Sequence, residues 1–291
     1  MTPARLSAAL AALLIVLALF PSRGAAGEVY LWRDADLTHL LTPSEAARLP
    51  MGLTPQFEIA DDRSVILLTR DGGLFDLRKR VPLPSQAPLR IDAFTISAGL
   101  IVAVRGDVLG WYESGKVQDR LRLPGKGLRV ASGPGQRLYL WGPRPSGGST
   151  VRLLESGRAS TLIEVPKGRI SALTAIGERL FYAVDSAIYT VAKGERAGLL
   201  FVASGEGTIR SLAADPYAGM LYFSSGREVY AMRAGTAVSI LRGVEGYLRC
   251  SGKALYALDP KAGRMIRVTG LERLTGGGAA EMRDASGGFK E

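Results

Sequence analysis

Ala214-Asp215-Pro216-Tyr217-Ala218-Gly219-Met220-Leu221-Tyr222-Phe223 reads as one tight turn feeding one strand. Proline presets φ for the second turn position, and aspartate accepts from backbone amides of its own turn. Glycine takes the left-handed position that a side chain resists. Leu221 and Tyr222 then point to opposite faces of the strand, so both faces are apolar and both need cover. An apolar strand precedes the turn, Ile209-Arg210-Ser211-Leu212, and a third follows, Glu228-Val229-Tyr230-Ala231-Met232.

Outward from this stretch the same order recurs about every 40 residues, a spacing typical of propeller blades. Short apolar strands begin at Leu128, Ile170, Ile209 and Leu248. Each is followed by a turn and an aromatic strand: Leu138-Tyr139-Leu140-Trp141, Leu180-Phe181-Tyr182-Ala183, Leu221-Tyr222-Phe223-Ser224 and Leu255-Tyr256-Ala257-Leu258. A third strand (Ala187–Val191) and a fourth (Gly198-Leu199-Leu200-Phe201-Val202) complete the unit. Residues 91–127 hold another copy, and residues 57–90 a weaker one around Val65-Ile66-Leu67-Leu68. Turn clusters at even spacing and the lack of a helical period after residue 55 predict an all-β fold. The reading is a six-bladed β-propeller of four-stranded antiparallel blades, with a β-sandwich pair or a seven-bladed ring as competitors. The last copy, 247–274, is one strand short. Glu28-Val29-Tyr30-Leu31-Trp32 is the expected donor, because an unclosed ring leaves two sheet edges unpaired. Pro43–Leu49 is predicted as a short helix capped by Thr42 or Ser44.

Asp215-Pro216 through Phe223 resembles the D-P-x-x-G-x-L-Y-aromatic signature of six-bladed propellers of the NHL, YWTD and SMP-30-like (TolB-like) superfamily. Leu258-Asp259-Pro260-Lys261-Ala262-Gly263 carries the same turn chemistry one strand later. Ser132-Gly133-Pro134-Gly135 and Ala175-Ile176-Gly177 lack the Asp-Pro pair. The resemblance covers residues 57–274 and implies fold more than function, since these turns are structural. Glu28–His39 is similar to a short exported module with a Y-x-W-x-D-x-x-G-x-x-H pattern, with Leu37 in place of its glycine. That likeness implies a bacterial envelope origin.

Of 291 residues, one is Cys (Cys250), one is His (His39) and none is Asn. This composition excludes a disulfide framework, a Cys/His zinc site and N-glycosylation. Residues 1–27 read as a secretory signal: Arg5, an apolar run from Leu6 to Phe20, the breaker Pro21, and small residues from Gly24 to Gly27. Cleavage is expected near Ala26; an uncleaved anchor is the competing reading. Periplasmic or secreted localisation follows, with no membrane span in the mature protein. The net charge of +10 becomes about +8 without Arg5 and Arg23. Either this is a solvated arginine-rich surface, or it favours anionic envelope material; export argues against nucleic acid.

The domain reading is signal 1–27, an N-terminal segment with the closing strand 28–56, propeller 57–274 and a disordered tail 275–291. No nucleophile elbow, zincin helix or phosphate loop is present, and Gly125-Lys126-Gly127 reads as an inter-blade turn. SMP-30-like lactonases hold a divalent metal with Glu, Asn and Asp. A gluconolactonase-like metal-dependent hydrolase is therefore the alternative here, weakened by the lack of Asn. The favoured reading is non-catalytic: a monomeric module without cofactor or metal, whose partner is an envelope protein or an anionic ligand. Its candidate site is a collar at the channel mouth, formed by the second residue of each inner strand: Asp92, Arg129, Ser171, Arg210 and Arg249. Guanidinium forks suit carboxylate or phosphate groups, with Asp92 as a local counter-ion. The competing view pairs these arginines with acids between blades. Trp32, Trp111 and Trp141 are expected in blade packing, Cys250 as a buried small hydrophobe, His39 at the surface, and Arg78-Lys79-Arg80 on a solvated strand edge.

Overall fold

The computed structural model describes residues 28–49, 52–203, 207–274 and 282–285. It is a six-bladed β-propeller built of antiparallel sheets. Blade 1 comprises β3 (Leu53–Ile59), β4 (Val65–Thr69), β5 (Leu74–Asp76) and β6 (Val81–Pro82), following β1 (Tyr30–Trp32) and β2 (Asp36–Leu41) in the chain. Blade 2 comprises β7 (Ala93–Ser97), β8 (Leu100–Arg105), β9 (Val108–Glu113) and β10 (Lys116–Arg122). Blade 3 comprises β11 (Arg129–Ser132), β12 (Leu138–Pro143), β13 (Ser149–Glu155) and β14 (Arg158–Val165). Blade 4 comprises β15 (Ile170–Ile176), β16 (Arg179–Val184), β17 (Ala187–Ala192) and β18 (Gly198–Val202). Blade 5 comprises β19 (Ile209–Asp215), β20 (Met220–Ser225), β21 (Glu228–Arg233) and β22 (Thr236–Arg242). Blade 6 comprises β23 (Tyr247–Ser251), β24 (Ala254–Asp259) and β25 (Arg264–Thr269).

An N-terminal strand closes the ring, but it is not the expected one. β2 pairs antiparallel with β25 and supplies the fourth strand of blade 6. Tyr30–Trp32 instead adds to blade 5 beyond β22, with Tyr30 opposite Arg242. Burial explains the exchange. Val29, Leu31 and Trp32 are all buried, in one cluster with Ile240, Leu248 and Ile266, and need cover on both sides. Asp36-Leu37-Thr38-His39 is largely exposed and suits an outer strand; only Leu41 plugs into the core with Phe57, Leu258 and Met265. Within the tail expected to be disordered, β26 (Met282–Asp284) pairs with β1. The proposed signal, 1–27, lies outside the described residues, as does most of that tail. Blade 1 begins at Leu53, inside the stretch assigned to the N-terminal segment.

The middle strands bury both faces because each blade is covered by its neighbours. All of Val65–Thr69 and all of Ala254–Asp259 are buried. Phe223, Phe57 and Phe94 are among the largest fully enclosed side chains. Trp32 and Trp141 are packed as expected, and Trp111 lies partly buried against the blade 2–3 cluster. Hydroxyl groups stitch the inner strands together. The Ser132 amide donates to Thr95 Oγ1 (3.1 Å), Ser171 Oγ to the Ile209 carbonyl (2.6 Å), and the Leu248 amide to Ser211 Oγ (2.9 Å).

In the turn that opened the sequence reading, Asp215 Oδ1 accepts from the Tyr217 and Ala218 amides at 2.9 and 3.2 Å. Gly219 holds φ +61°. The only α-helix among the described residues, α1 (Pro43–Ala47), is capped by Thr42 in a reciprocal box with Glu45. Cys250 is partly buried against the blade 5–6 core, and burial and then Asp215 push its thiol up to about 12. Iodoacetamide at pH 8 is therefore expected to label the native protein about 10³-fold more slowly than the urea-unfolded chain, since the thiolate is the nucleophile. Equal labelling rates would contradict this packing.

Candidate functional site

The inner strands run in one direction around the axis, so their N-terminal ends share one face of the disc. At that face a cavity of about 40 Å³ is lined by Arg129, Ser171, Arg210 and Arg249, together with Gln56, Phe94, Trp141 and Tyr247. Four of the five expected collar residues are thus brought together, from blades 3, 4, 5 and 6. The space holds about three water molecules at ~10–15 Å³ each. That is room for one compact head group.

Local backbone irregularities aim these side chains. The pairing of β15 skips Ser171 between Ile170 and Ala172, and the pairing of β19 skips Arg210 between Ile209 and Ser211. β3 carries a larger irregularity between Leu53 and Phe57, which turns Gln56 to the channel. Such bulges redirect side chains at sheet ends.

Each residue then meets a different fate. Arg210 pairs with Glu245 at 2.6 Å, and Lys261 reaches the same carboxylate at 2.9 Å. Burial works to raise the Glu245 carboxyl, but Lys261 and Arg210 overcome it and hold it below its ordinary value. This clamp is therefore complete above the ordinary glutamate value near 4.5 and is lost as pH falls below it. Arg249 pairs with Glu58 at 3.0 Å, donates to the Leu248 carbonyl at 2.8 Å, and lies 5.8 Å over the Phe57 ring. Burial dominates at Glu58 and raises its carboxyl despite Arg249. Two of the three arginines thus follow the competing view and pair with acids.

Arg129 does not. No carboxylate lies within 4.0 Å of it among the described residues; its NH1 donates only to the Ser171 carbonyl, at 3.4 Å. Burial first, then Arg169, and more weakly Arg249, push its guanidinium below the ordinary range, while Tyr247 works the other way. Across the strand pair its partner is Trp141, whose indole Nε1 is buried without a hydrogen bond.

The remaining two expectations change. Asp92 does not enter the collar as counter-ion: its Oδ2 accepts from the Gly106 amide at 2.6 Å, and its carbonyl accepts from Gln56 Nε2 at 3.0 Å. The Ser171 hydroxyl is occupied with the Ile209 and Ala183 carbonyls and holds blades together. The acids that do the pairing, Glu58 and Glu245, escaped the sequence reading because they lie at the far end of β3 and in the 243–246 connection, away from the repeated position. Gln56 lies in β3, four residues into a blade whose sequence repeat becomes recognisable only at residue 57.

Among the described residues, no group of three or more His, Cys, Asp or Glu side chains converges in a way that could hold a metal ion. None of their helices is long and apolar enough to cross a membrane. His39 is exposed, as expected, and partial burial and the charge of Arg264 lower its imidazole.

No protein-family model matches the sequence, and no curated protein matches it. Solved structures do. The chain is similar to virginiamycin B lyase from Staphylococcus aureus at 12% identity, covering 81% of this chain and 99% of that one, with a TM-score of 0.56. It is also similar to a structural genomics protein of unknown function from Bacteroides thetaiotaomicron, at 9% identity, 81% and 76% coverage and a TM-score of 0.61. A third likeness is to the extracellular domain of a B. thetaiotaomicron one component system: 13% identity, 73% and 32% coverage, TM-score 0.52. At such identities the likeness is one of propeller fold, and propellers host many functions.

Proposed function

We propose that this chain is an exported, non-catalytic β-propeller of the NHL, YWTD and SMP-30-like group that binds an acidic partner through one anionic head group seated in the channel mouth. The observation that carries the reading is Arg129: a partly buried guanidinium at a small cavity, with no carboxylate within 4.0 Å among the described residues. Its neighbours are pinned. Glu245 fixes Arg210 and Glu58 fixes Arg249, so the rim is preorganised and its charge stays net positive. The cavity size favours the carboxylate of an acidic side chain or chain end on an envelope protein. The signal-like residues 1–27 support a periplasmic setting for that partner.

The test is a thermal-shift series on protein released by osmotic shock and beginning near Gly27, with acidic peptides, sugar acids and divalent metals. A ligand that binds only the native state raises the melting temperature by mass action. The expected result is a rise with carboxylate ligands that fades in high salt and is absent in Arg129→Met. A metal-specific rise, or retention of the chain in the cytoplasm, would overturn the reading.

A further inference from the structure

A second basic cavity lies on the same face as the channel mouth, outward from it in blade 3. It offers about 210 Å³, several times the space at Arg129. Three cations line it, from three separate elements: Lys126 in the connection before β11, Arg144 in the turn after β12, and Arg152 on β13. Pro124, Pro143 and Pro145 give it stiff walls.

The charges are not balanced within the protein. Arg144 pairs with Glu164 at 3.2 Å. Asp107, on the neighbouring turn, pairs with Arg122 at 3.1 Å and feels the charge of Lys126 without forming an ion pair with it. Lys126 and Arg152 make no ion pair among the described residues, and the Nε of Arg152 is buried without a hydrogen bond. Holding a guanidinium partly buried and uncompensated is costly unless an anion joins it. The scaffold also fixes the geometry. β14 is irregular opposite Val151 and Arg152, which sets the direction of β13 there. The Arg144 turn closes through Gly147 N to Arg144 O (3.1 Å), and a side chain at Gly148 would collide with the Val165 carbonyl. A comparable cavity beside Arg63, Lys253 and Arg267 contains Glu272 and so carries its own negative charge; the blade 3 cavity has no acid in its lining.

We propose that Lys126, Arg144 and Arg152 form an oxyanion site that takes a phosphate group, free or as an ester. The unpaired guanidinium fork of Arg152 and the ammonium of Lys126, with the Glu164-paired Arg144 beside them, suit a tetrahedral, doubly charged group better than a flat carboxylate. This site stands apart from the channel reading, and neither depends on the other.

The test is calorimetric titration of the processed protein with inorganic phosphate and with glycerol phosphate, against chloride at equal ionic strength. The wild type is expected to bind saturably. Lys126→Ala and Arg152→Met are expected to weaken binding at least tenfold, while Arg129→Met binds as wild type. Should Arg152→Met fail to fold, Lys126→Ala and Arg144→Met carry the comparison, since both residues sit in surface connections. Tighter binding of the ester than of free phosphate would identify a headgroup as the source, and equal or weaker binding would identify the free ion. No saturable binding beyond chloride, unchanged binding in Lys126→Ala, or an equal loss in Arg129→Met would overturn the proposal.

Discussion

Deleting residues 28–41 is expected to abolish the cooperative unfolding transition. The segment carries two strands with separate duties. β2 supplies the fourth strand of blade 6, and without it the outer edge of β25 is bare. Tyr30–Trp32 covers β22 and is itself covered by β26. Val29, Leu31, Trp32 and Leu41 are each at most 8% exposed. At about 1.5–3 kcal/mol per buried apolar side chain, removing the four forfeits of order 10 kcal/mol. That is comparable to the whole stability of an ordinary domain, about 5–15 kcal/mol. Circular dichroism on heating should show a broad, non-cooperative change. A sharp transition within a few degrees of the intact protein would mean that the ring does not depend on this closure.

The second large effect is expected at Asp259. Its carboxylate is buried with Arg264, 3.3 Å away, and both side chains are about 95% enclosed. Its other contacts are the Ala262 amide at 3.0 Å and the Glu245 amide at 3.2 Å. Arg264 also donates to the Gly243 carbonyl. Asp259→Ala breaks this buried pair from one side, which costs about 3–5 kcal/mol in comparable pairs. Asp259→Ala/Arg264→Met should recover much of that loss, because removing both members of a buried pair costs less than removing one. Urea denaturation of the single and double variants checks this. An additive double variant, or a single variant costing under about 1 kcal/mol, would show that the pair is not coupled. The same change should reach the channel: Asp259 holds the Glu245 amide, Glu245 holds Arg210, and losing the first loosens the last.

How far the sequence was legible follows from the same contacts. Gly198–Val202 is the strand it was read to be, and the inner strands of blades 4 and 5 start at Ile170 and Ile209 as expected. These strands are short, mostly apolar stretches bounded by turn residues, which makes their existence and their starts legible. The closing strand is not legible in this way: β propensity favours Glu28-Val29-Tyr30-Leu31-Trp32 over Asp36-Leu37-Thr38-His39, whereas an outer strand needs little apolar surface. The repeated position predicts that Arg129, Arg210 and Arg249 lie near one another, and they line one cavity. The register of the repeat was only loosely right: Arg129 opens β11, Ser171 and Arg210 sit in bulges, and Arg249 is the third residue of β23. The counter-ions could not be found that way. Glu58 reaches Arg249 only because the ring closes blade 1 against blade 6, and Glu245 reaches Arg210 from the connection between blades 5 and 6, so neither pairing follows from the repeat spacing. Asp92 occupied the repeated position, yet its own blade offered the Gly106 amide at 2.6 Å.

The central claim is that the uncompensated charge of Arg129 makes the channel mouth an anion seat. Its most direct test is isothermal titration of a short acidic peptide, tri-glutamate, into the wild type and Arg129→Met at low and high salt. A charged hydrogen bond contributes about 1.5–3 kcal/mol, so the variant should bind at least about tenfold more weakly with an unchanged melting temperature. The wild-type affinity should also fall as salt rises. Equal affinity in the two proteins, or wild-type binding indifferent to salt, would contradict the account.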